Sequence, residues 1–255
     1  MCSLKLGRPD CRIAGSVKGS LMQLESPRSP NGSAGRQRNA RGQGDRLRQE
    51  IIKAARDILA TTGNLDRLTL RGVAREVGIA TTSVYLHFPD AEHLAVAALE
   101  QTFAELTATT SAAAAGHTDP AEALLARCRA YCQFGVDHPG HYRVMFHLDL
   151  MPSLAAGDPG ETPGQRAFRV LVGAVEACLA ADADRPDRPD RPHRPYRDPH
   201  RLASLVWATE HGLVSARLAR PQLHWGSLNS MVTEAVSRLM GFDYEDAGST
   251  GTATA

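Results

Sequence analysis

Residues 69–88 read TLRGVAREVGIATTSVYLHF, and this stretch decides the fold. Leu70, Val73, Ala74 and Val77 recur at the i, i+3, i+4, i+7 spacing of one apolar helix face, with Thr69 placed as their N-cap. Gly78 ends that helix, because the residue past a helix end often takes positive φ, which glycine adopts without a Cβ clash. Gly78-Ile79-Ala80 can then turn the chain into a second helix, predicted over Thr81 to Phe88. The pair is a helix-turn-helix candidate. At about 100° per residue, Val84 and Phe88 share the inward face of the second helix, while Thr82 and Leu86 fall roughly 160° and 200° away, directly outward. Such a small, mixed face fits a major groove about 12 Å wide, where threonine and leucine methyls can touch thymine methyls and hydroxyls can bond base edges. Tyr85 and His87, on the flanks, are placed for phosphates.

Working outward, a long amphipathic helix precedes this unit from Asp45, with Leu47, Ile51, Ala55, Ile58 and Leu59 as its stripe and Gly63-Asn64 closing it. Pro89 stops the second helix of the pair, and Asp90 caps a following helix whose stripe of Leu94, Ala98, Phe103 and Leu106 runs to about Ser111. These elements give a three-helix head over 45–92. The chain of 255 residues carries a net charge of only +1, yet between positions 28 and 48 six arginines (28, 36, 38, 41, 46 and 48) face the single Asp45, a local excess of five positive charges. A basic block beside a helix-turn-helix points to a polyanionic partner. Residues 1–44 have no apolar periodicity and are expected to be a disordered basic arm, with Met22 an alternative start to Met1. No signal-type apolar segment and no run of about 18 apolar residues occurs, so a cytoplasmic location is expected.

The stretch LRGVAREVGIATTSVYLHFPD, preceded by the long helix of Ile51 to Thr62, resembles the head of the TetR family of bacterial transcriptional repressors. The resemblance covers roughly Asp45 to Ala98. It implies a homodimer on a palindromic double-stranded DNA operator, with Thr81, Thr82 and Leu86 facing bases and Thr69, Ser83, Tyr85 and His87 touching phosphates. Arg71 joins these as a candidate DNA contact. Ala91 stands where members of the family commonly carry a lysine, which removes one expected phosphate contact.

The remainder, 93–241, is expected to be a helical ligand-binding and dimerisation domain, followed by a disordered tail over 242–255. Asp119, Pro120 and Glu122 signal the start of a helix lined by Leu124, Leu125, Cys128, Tyr131 and Cys132, broken at Asp137-His138-Pro139-Gly140 before HYRVMFHLDL begins another. A loop is expected from Pro152 to Gly164, then a helix marked by Ala167, Leu171, Ala174, Val175 and Cys178. The proline-rich repeat RPDRPDRPHRPYRDPHR places an exposed loop over 182–200. Two last helices follow, one faced by Leu202, Leu205, Val206, Thr209 and Leu213, the other by Leu228, Met231, Val232, Ala235, Val236, Leu239 and Met240. The fold class is therefore all-α. Trp207-Ala-Thr-Glu-His211-Gly212 and His138 to Phe146 resemble the Trp-His-Gly type of C-terminal domain found in some members of the same family.

A repressor of this kind responds to a small molecule that binds best to a dimer whose heads no longer match successive grooves. Phe103, Tyr131, Met145, Phe146, His147, Phe168, Trp207 and His211 are the pocket candidates. Two other readings compete. Cys128, Cys132, His138, His141 and His147 could furnish a metal- or thiol-sensing site, although both cysteines lie on an apolar stripe, where free cysteine behaves as a small hydrophobe. A non-specific architectural DNA binder is the other. With no Gly-rich phosphate loop, GxSxG or HExxH, neither an enzyme nor a cofactor or metal requirement is expected.

Overall fold

The computed structural model describes residues 43–146, 161–183 and 198–242. The arm up to residue 42, the tail from 243, most of the Pro152–Gly164 loop, the repeat between 184 and 197, and His147 lie outside the described residues. Within them the chain is helical, with no strand: α1 (Gln43–Thr62), α2 (Leu70–Val77), α3 (Thr81–Tyr85), α4 (Ala91–Ala115), α5 (Pro120–Asp137), α6 (Pro139–Met145), α7 (Pro163–Ala183), α8 (Pro199–Ala219) and α9 (Leu228–Met240). No described helix is long and apolar enough to cross a membrane.

The ends of these helices follow from local chemistry. Thr69 caps α2 by accepting the Gly72 N–H at 3.0 Å, and Gly78 closes it at φ 75° while the Ile79 N–H returns to the Ala74 carbonyl at 2.9 Å. Asp90 accepts the His93 N–H at 2.9 Å to start α4, and Asp119 accepts the Ala121 N–H at 3.2 Å with Pro120 in the first turn of α5. Two helix starts come earlier than the sequence reading placed them. Pro163 and Gly164 belong to α7 rather than to a loop, and Pro199 and His200 open α8, with Asp198 accepting the His200 N–H at 3.0 Å. Both starts carry a proline in the first turn, where it removes only an N–H that has no intrahelical acceptor, and Asp182 and Ala183 still belong to the end of α7.

In the head, Ile51, Ile52, Ala55 and Leu59 of α1 are buried with Val73 and Ala74 of α2, Val84 of α3 and Phe88. Helix α3 is shorter than the predicted Thr81 to Phe88. Its last α-helical residue is Tyr85, although Leu86 keeps right-handed helical dihedrals and the N–H groups of His87 and Phe88 both return to the Val84 carbonyl, at 2.9 and 3.0 Å. The chain thus keeps winding long enough to hold Phe88 inside and Leu86 outside.

Helix α4 runs unbroken from the head into a bundle with α5 and α7, and α5 also packs on α8 and α9. Arg129 of α5 donates to Thr233 of α9 at 2.8 Å. Helix α6 lies against α1: the Gly140 Cα position leaves no room for a side chain beside Ala60, and His141 Nε2 lies 3.0 Å from the Arg56 carbonyl. Arg56 in turn pairs with Glu105 of α4. The expected apolar face of α8 is rotated, since Leu202, Ala203, Val206, Glu210 and Val214 are buried while Leu205 is 40% exposed and Thr209 and Leu213 only half-buried.

Candidate functional site

The first candidate surface is the outer side of α2 and α3. Val84 at full burial and Phe88 at 3% exposure anchor α3, which leaves Tyr85 57% and Leu86 74% exposed. Thr82, Thr69 and Arg71 are exposed too, and Thr81, Ser83 and His87 are half-buried. Tyr85 and Leu86 stand side by side on the open face of a helix whose other face is buried, which leaves both side chains available to a partner. Thr69, Arg71, Thr81 and Tyr85 gather around one open depression, also lined by Asp90 and Ala91, whereas Thr82, Ser83, Leu86 and His87 lie beyond its rim. The Thr69 Oγ accepts the capping bond from Gly72, so its hydroxyl proton is free to donate to an oxyanion. With alanine at 91, Arg71 is the lining cation, and it faces the Asp90 carboxylate across the same depression.

The second candidate site is a cavity of about 650 Å³ enclosed by α4, α5, α7 and α8 with Phe146. Of the pocket candidates named from sequence, Phe103, Tyr131, Phe146, Phe168, Trp207 and His211 line it. Met145 does not. At 3% exposure it packs into the core, because α6 turns its Phe146 end toward the cavity and Met145 away from it. The aromatic wall is ordered by ring contacts: His211 stacks on Trp207 at 5.4 Å and on Tyr142 at 5.6 Å, and meets Phe146 edge-on at 4.7 Å.

A hydrogen-bonded chain runs out of this wall. The Tyr131 and Tyr142 hydroxyls are 3.2 Å apart, the Tyr142 hydroxyl lies 2.8 Å from His211 Nδ1, and His211 Nε2 lies 3.3 Å from the Ser215 hydroxyl. Burial holds His211 below the usual histidine range, which favours a neutral ring able to donate at one nitrogen and accept at the other. Burial likewise pushes both tyrosines up, so their hydroxyls stay protonated. Tyr142 sits on α6, two residues from the Gly140 contact with α1, so the cavity wall and the head are joined through one short helix.

Among the polar lining residues that the sequence reading does not name, two are ionisable. Glu210 is 2% exposed, and burial raises its carboxyl to about 8 against the lowering effects of the Cys128 thiol and Arg127. Arg127 donates from Nη1 to the Thr110 and Ser111 hydroxyls, both at 3.3 Å, while its buried Nε has no partner. A signal for Glu210 was present: it occupies the same helical row as Val206 and Val214, where a carboxylate has no structural reason to be. Arg127 gave no comparable signal, since it flanks rather than interrupts the stripe of α5.

The thiol and metal reading loses its chemistry in this packing. Cys128 and Cys132 are fully buried, and desolvation pushes both thiols upward, away from the reactive thiolate. His138 lies in tilted ring contact with Phe134 at 4.7 Å, and His141 reaches the Arg56 carbonyl. Among the described residues no group of three His, Cys, Asp or Glu is arranged to hold a metal ion.

Comparison with known proteins bears on both candidate sites. Residues 51–98 match the family model described as bacterial regulatory proteins, tetR family, and residues 124–240 match the tetracyclin repressor-like C-terminal domain. An uncharacterized HTH-type transcriptional regulator of Haemophilus influenzae is 37% identical over 59 residues, which is 23% of this chain and 29% of that protein's length. Among solved structures, a protein of unknown function from Rhodococcus sp. RHA1 aligns at 25% identity with a TM-score of 0.58, over 76% of this chain and 93% of the other. The SmeT–triclosan complex aligns at 19% identity with a TM-score of 0.53, over 82% and 99% respectively, and so shares the fold.

Proposed function

The chain belongs to the TetR family of bacterial transcription regulators, and on that premise we propose that it binds a palindromic operator as a homodimer and releases it when a small molecule occupies the cavity. In this reading 45–92 is the DNA-reading head, 93–241 is the effector and dimerisation domain, and the basic arm over 1–44 adds affinity for the phosphate backbone in the cytoplasm.

The observation that carries the proposal is the exposed Tyr85-Leu86 pair on a helix anchored by buried Val84 and Phe88. Thr82 and Leu86 face away from the head's core and supply the methyl and hydroxyl groups that read base edges, with Thr81 beside them. Thr69, Arg71, Ser83, Tyr85 and His87 supply backbone contacts, the arginine doing the work that a lysine at 91 would otherwise share. The cavity supports the effector half of the reading: its volume, aromatic lining and few polar groups suit a drug-sized organic molecule. A related fold has been captured as a triclosan complex, which is in keeping with a small-molecule ligand for this fold.

Substitutions separate the two kinds of contact. Tyr85→Phe should weaken binding to all duplexes alike, by roughly 3- to 10-fold, while Leu86→Ala and Thr82→Ala should change preference at particular base pairs by about 1–2 kcal/mol each. Competition binding against point-substituted operators at fixed salt reads both effects. Wild-type affinity and preference in all three variants would remove α3 from the groove, and salt-dependent binding without preference would favour an architectural DNA binder.

A further inference from the structure

The cavity is apolar over most of its wall, and Arg127 and Glu210 are the ionisable groups that interrupt it together with His211 and Tyr131. Arg127, Thr107 and Thr110 line it from α5 and α4, with Glu210 contributed by α8. Thr110 is already committed as a donor, giving its proton to the Thr107 carbonyl at 3.1 Å while accepting from Arg127. The guanidinium is therefore held in place by hydroxyl oxygens, which carry no negative charge to neutralise it. Among the described residues no carboxylate forms an ion pair with Arg127, and its buried Nε–H is left without an acceptor. Arg127 as a whole is half-buried, but a buried N–H of a cation without an acceptor is costly unless an anion completes the site.

We propose that the effector is an organic acid with an apolar body, whose carboxylate is held by Arg127 beside Glu210 and whose hydrocarbon or aromatic part fills the space among Phe103, Phe168 and Trp207. This assignment rests on reading the cavity as the effector site. A cationic ligand is the obvious competitor, because aromatic faces and a buried carboxyl also suit ammonium groups. The unfilled donor decides against it: the buried Arg127 Nε–H calls for an acceptor, which an ammonium head cannot supply, and burial raises the Glu210 carboxyl to about 8 while lowering His211, in keeping with Arg127 as the charged group of the lining. A protonated Glu210 can donate to the second oxygen of a bound carboxylate, so the two residues act together on one head group.

The test is a calorimetric titration of the full-length protein with three probes that share one chain and differ in head: decanoate and decyltrimethylammonium, each below its micellar concentration, and 1-decanol below its solubility limit. Decanoate should bind at least about tenfold more tightly than decanol, and the ammonium compound more weakly than either. Arg127→Gln should abolish the preference for the acid while leaving decanol affinity within about twofold, and Arg127→Lys should keep part of it. Unchanged decanol binding also shows that the variant is folded. Equal binding of acid and alcohol, tighter binding of the ammonium probe, or a preference that survives Arg127→Gln would overturn the head-group assignment while leaving the cavity as an apolar binding site. If none of the three probes bound, the assignment and the effector-site reading would fall together.

Discussion

Replacing Leu205 and Leu239 by glutamate leaves each chain folded but monomeric, and lowers affinity for the operator by about 100-fold or more. The expectation comes from two rows on α9. Leu228, Val232, Val236 and Met240 are buried within the chain, while Met231, Ala235 and Leu239 form a second row that is apolar but only half-buried. On the neighbouring α8, Leu205 is 40% exposed. An apolar row left half open on α9, beside exposed Leu205 on α8, is what a two-fold helical interface requires. Leu205 is exposed and Leu239 packs partly against the core, so glutamate costs the monomer little at 205 and more at 239, whereas at a dimer interface like charges meet across the two-fold axis without partners. Each head alone then binds one half-site, and the gain from tethering two heads is lost. Sedimentation velocity reads the change in mass, circular dichroism the intact helices, and a DNA titration the loss of affinity. A variant that remained dimeric would move the interface elsewhere.

Gly140→Ala has the second large effect, on the joint between α6 and α1. A Cβ at 140 would lie 1.8 Å from the Ala60 carbonyl oxygen and 2.6 Å from its carbon, backbone atoms that cannot rotate aside. Relieving that overlap means separating two helices, at a cost of about 3 kcal/mol or more, which lowers Tm by about 6–12 °C in a chain of this size. Gly135→Ala is the comparison. Its Cβ would meet side-chain atoms of buried Val214 and Tyr142 at 2.6–2.9 Å; side chains rather than backbone must then move, so the loss should be smaller than at Gly140. Hydrogen exchange of the last turn of α1 should rise in the Gly140 variant and not in the other. In the proposed ligand response the contact would matter because His211 in the cavity wall is bonded to Tyr142, and Tyr142 shares α6 with Gly140. Loosening it would break the spatial continuity between the cavity wall and the head. Equal stability of the two variants would mean that α6 is not seated against α1 as described.

The parts of this protein that could be read from sequence are those set by neighbouring residues. Caps are local chemistry, so Thr69, Gly78, Asp90 and Asp119-Pro120 could be placed in advance. The length of α3 could not, because Pro89 shows where a helix must stop, while the tightening of the last turn after Tyr85 depends on how Phe88 seats in the core. Large aromatic residues were good guides to the cavity because few other places in a small bundle accommodate them; Met145, equally apolar, belongs to the core. The face of α8 was misjudged by counting leucines: Leu205 carries hydrophobicity that points outward, and the buried row is completed by Glu210. Arg127 became visible as part of a site only when the fold brought α4, α5 and α8 around it.

The central claim, that two copies of the α2–α3 head read one symmetric operator, is tested most directly by selecting bound duplexes from a random-sequence pool with full-length protein and weighing the resulting complex. The account predicts enrichment of an inverted repeat whose half-site centres lie about one helical turn, ~34 Å, or a multiple of it apart, carrying one pair of chains per two half-sites. An enriched site without two-fold symmetry that is occupied by a single chain, or a pool that binds without enrichment, would contradict it.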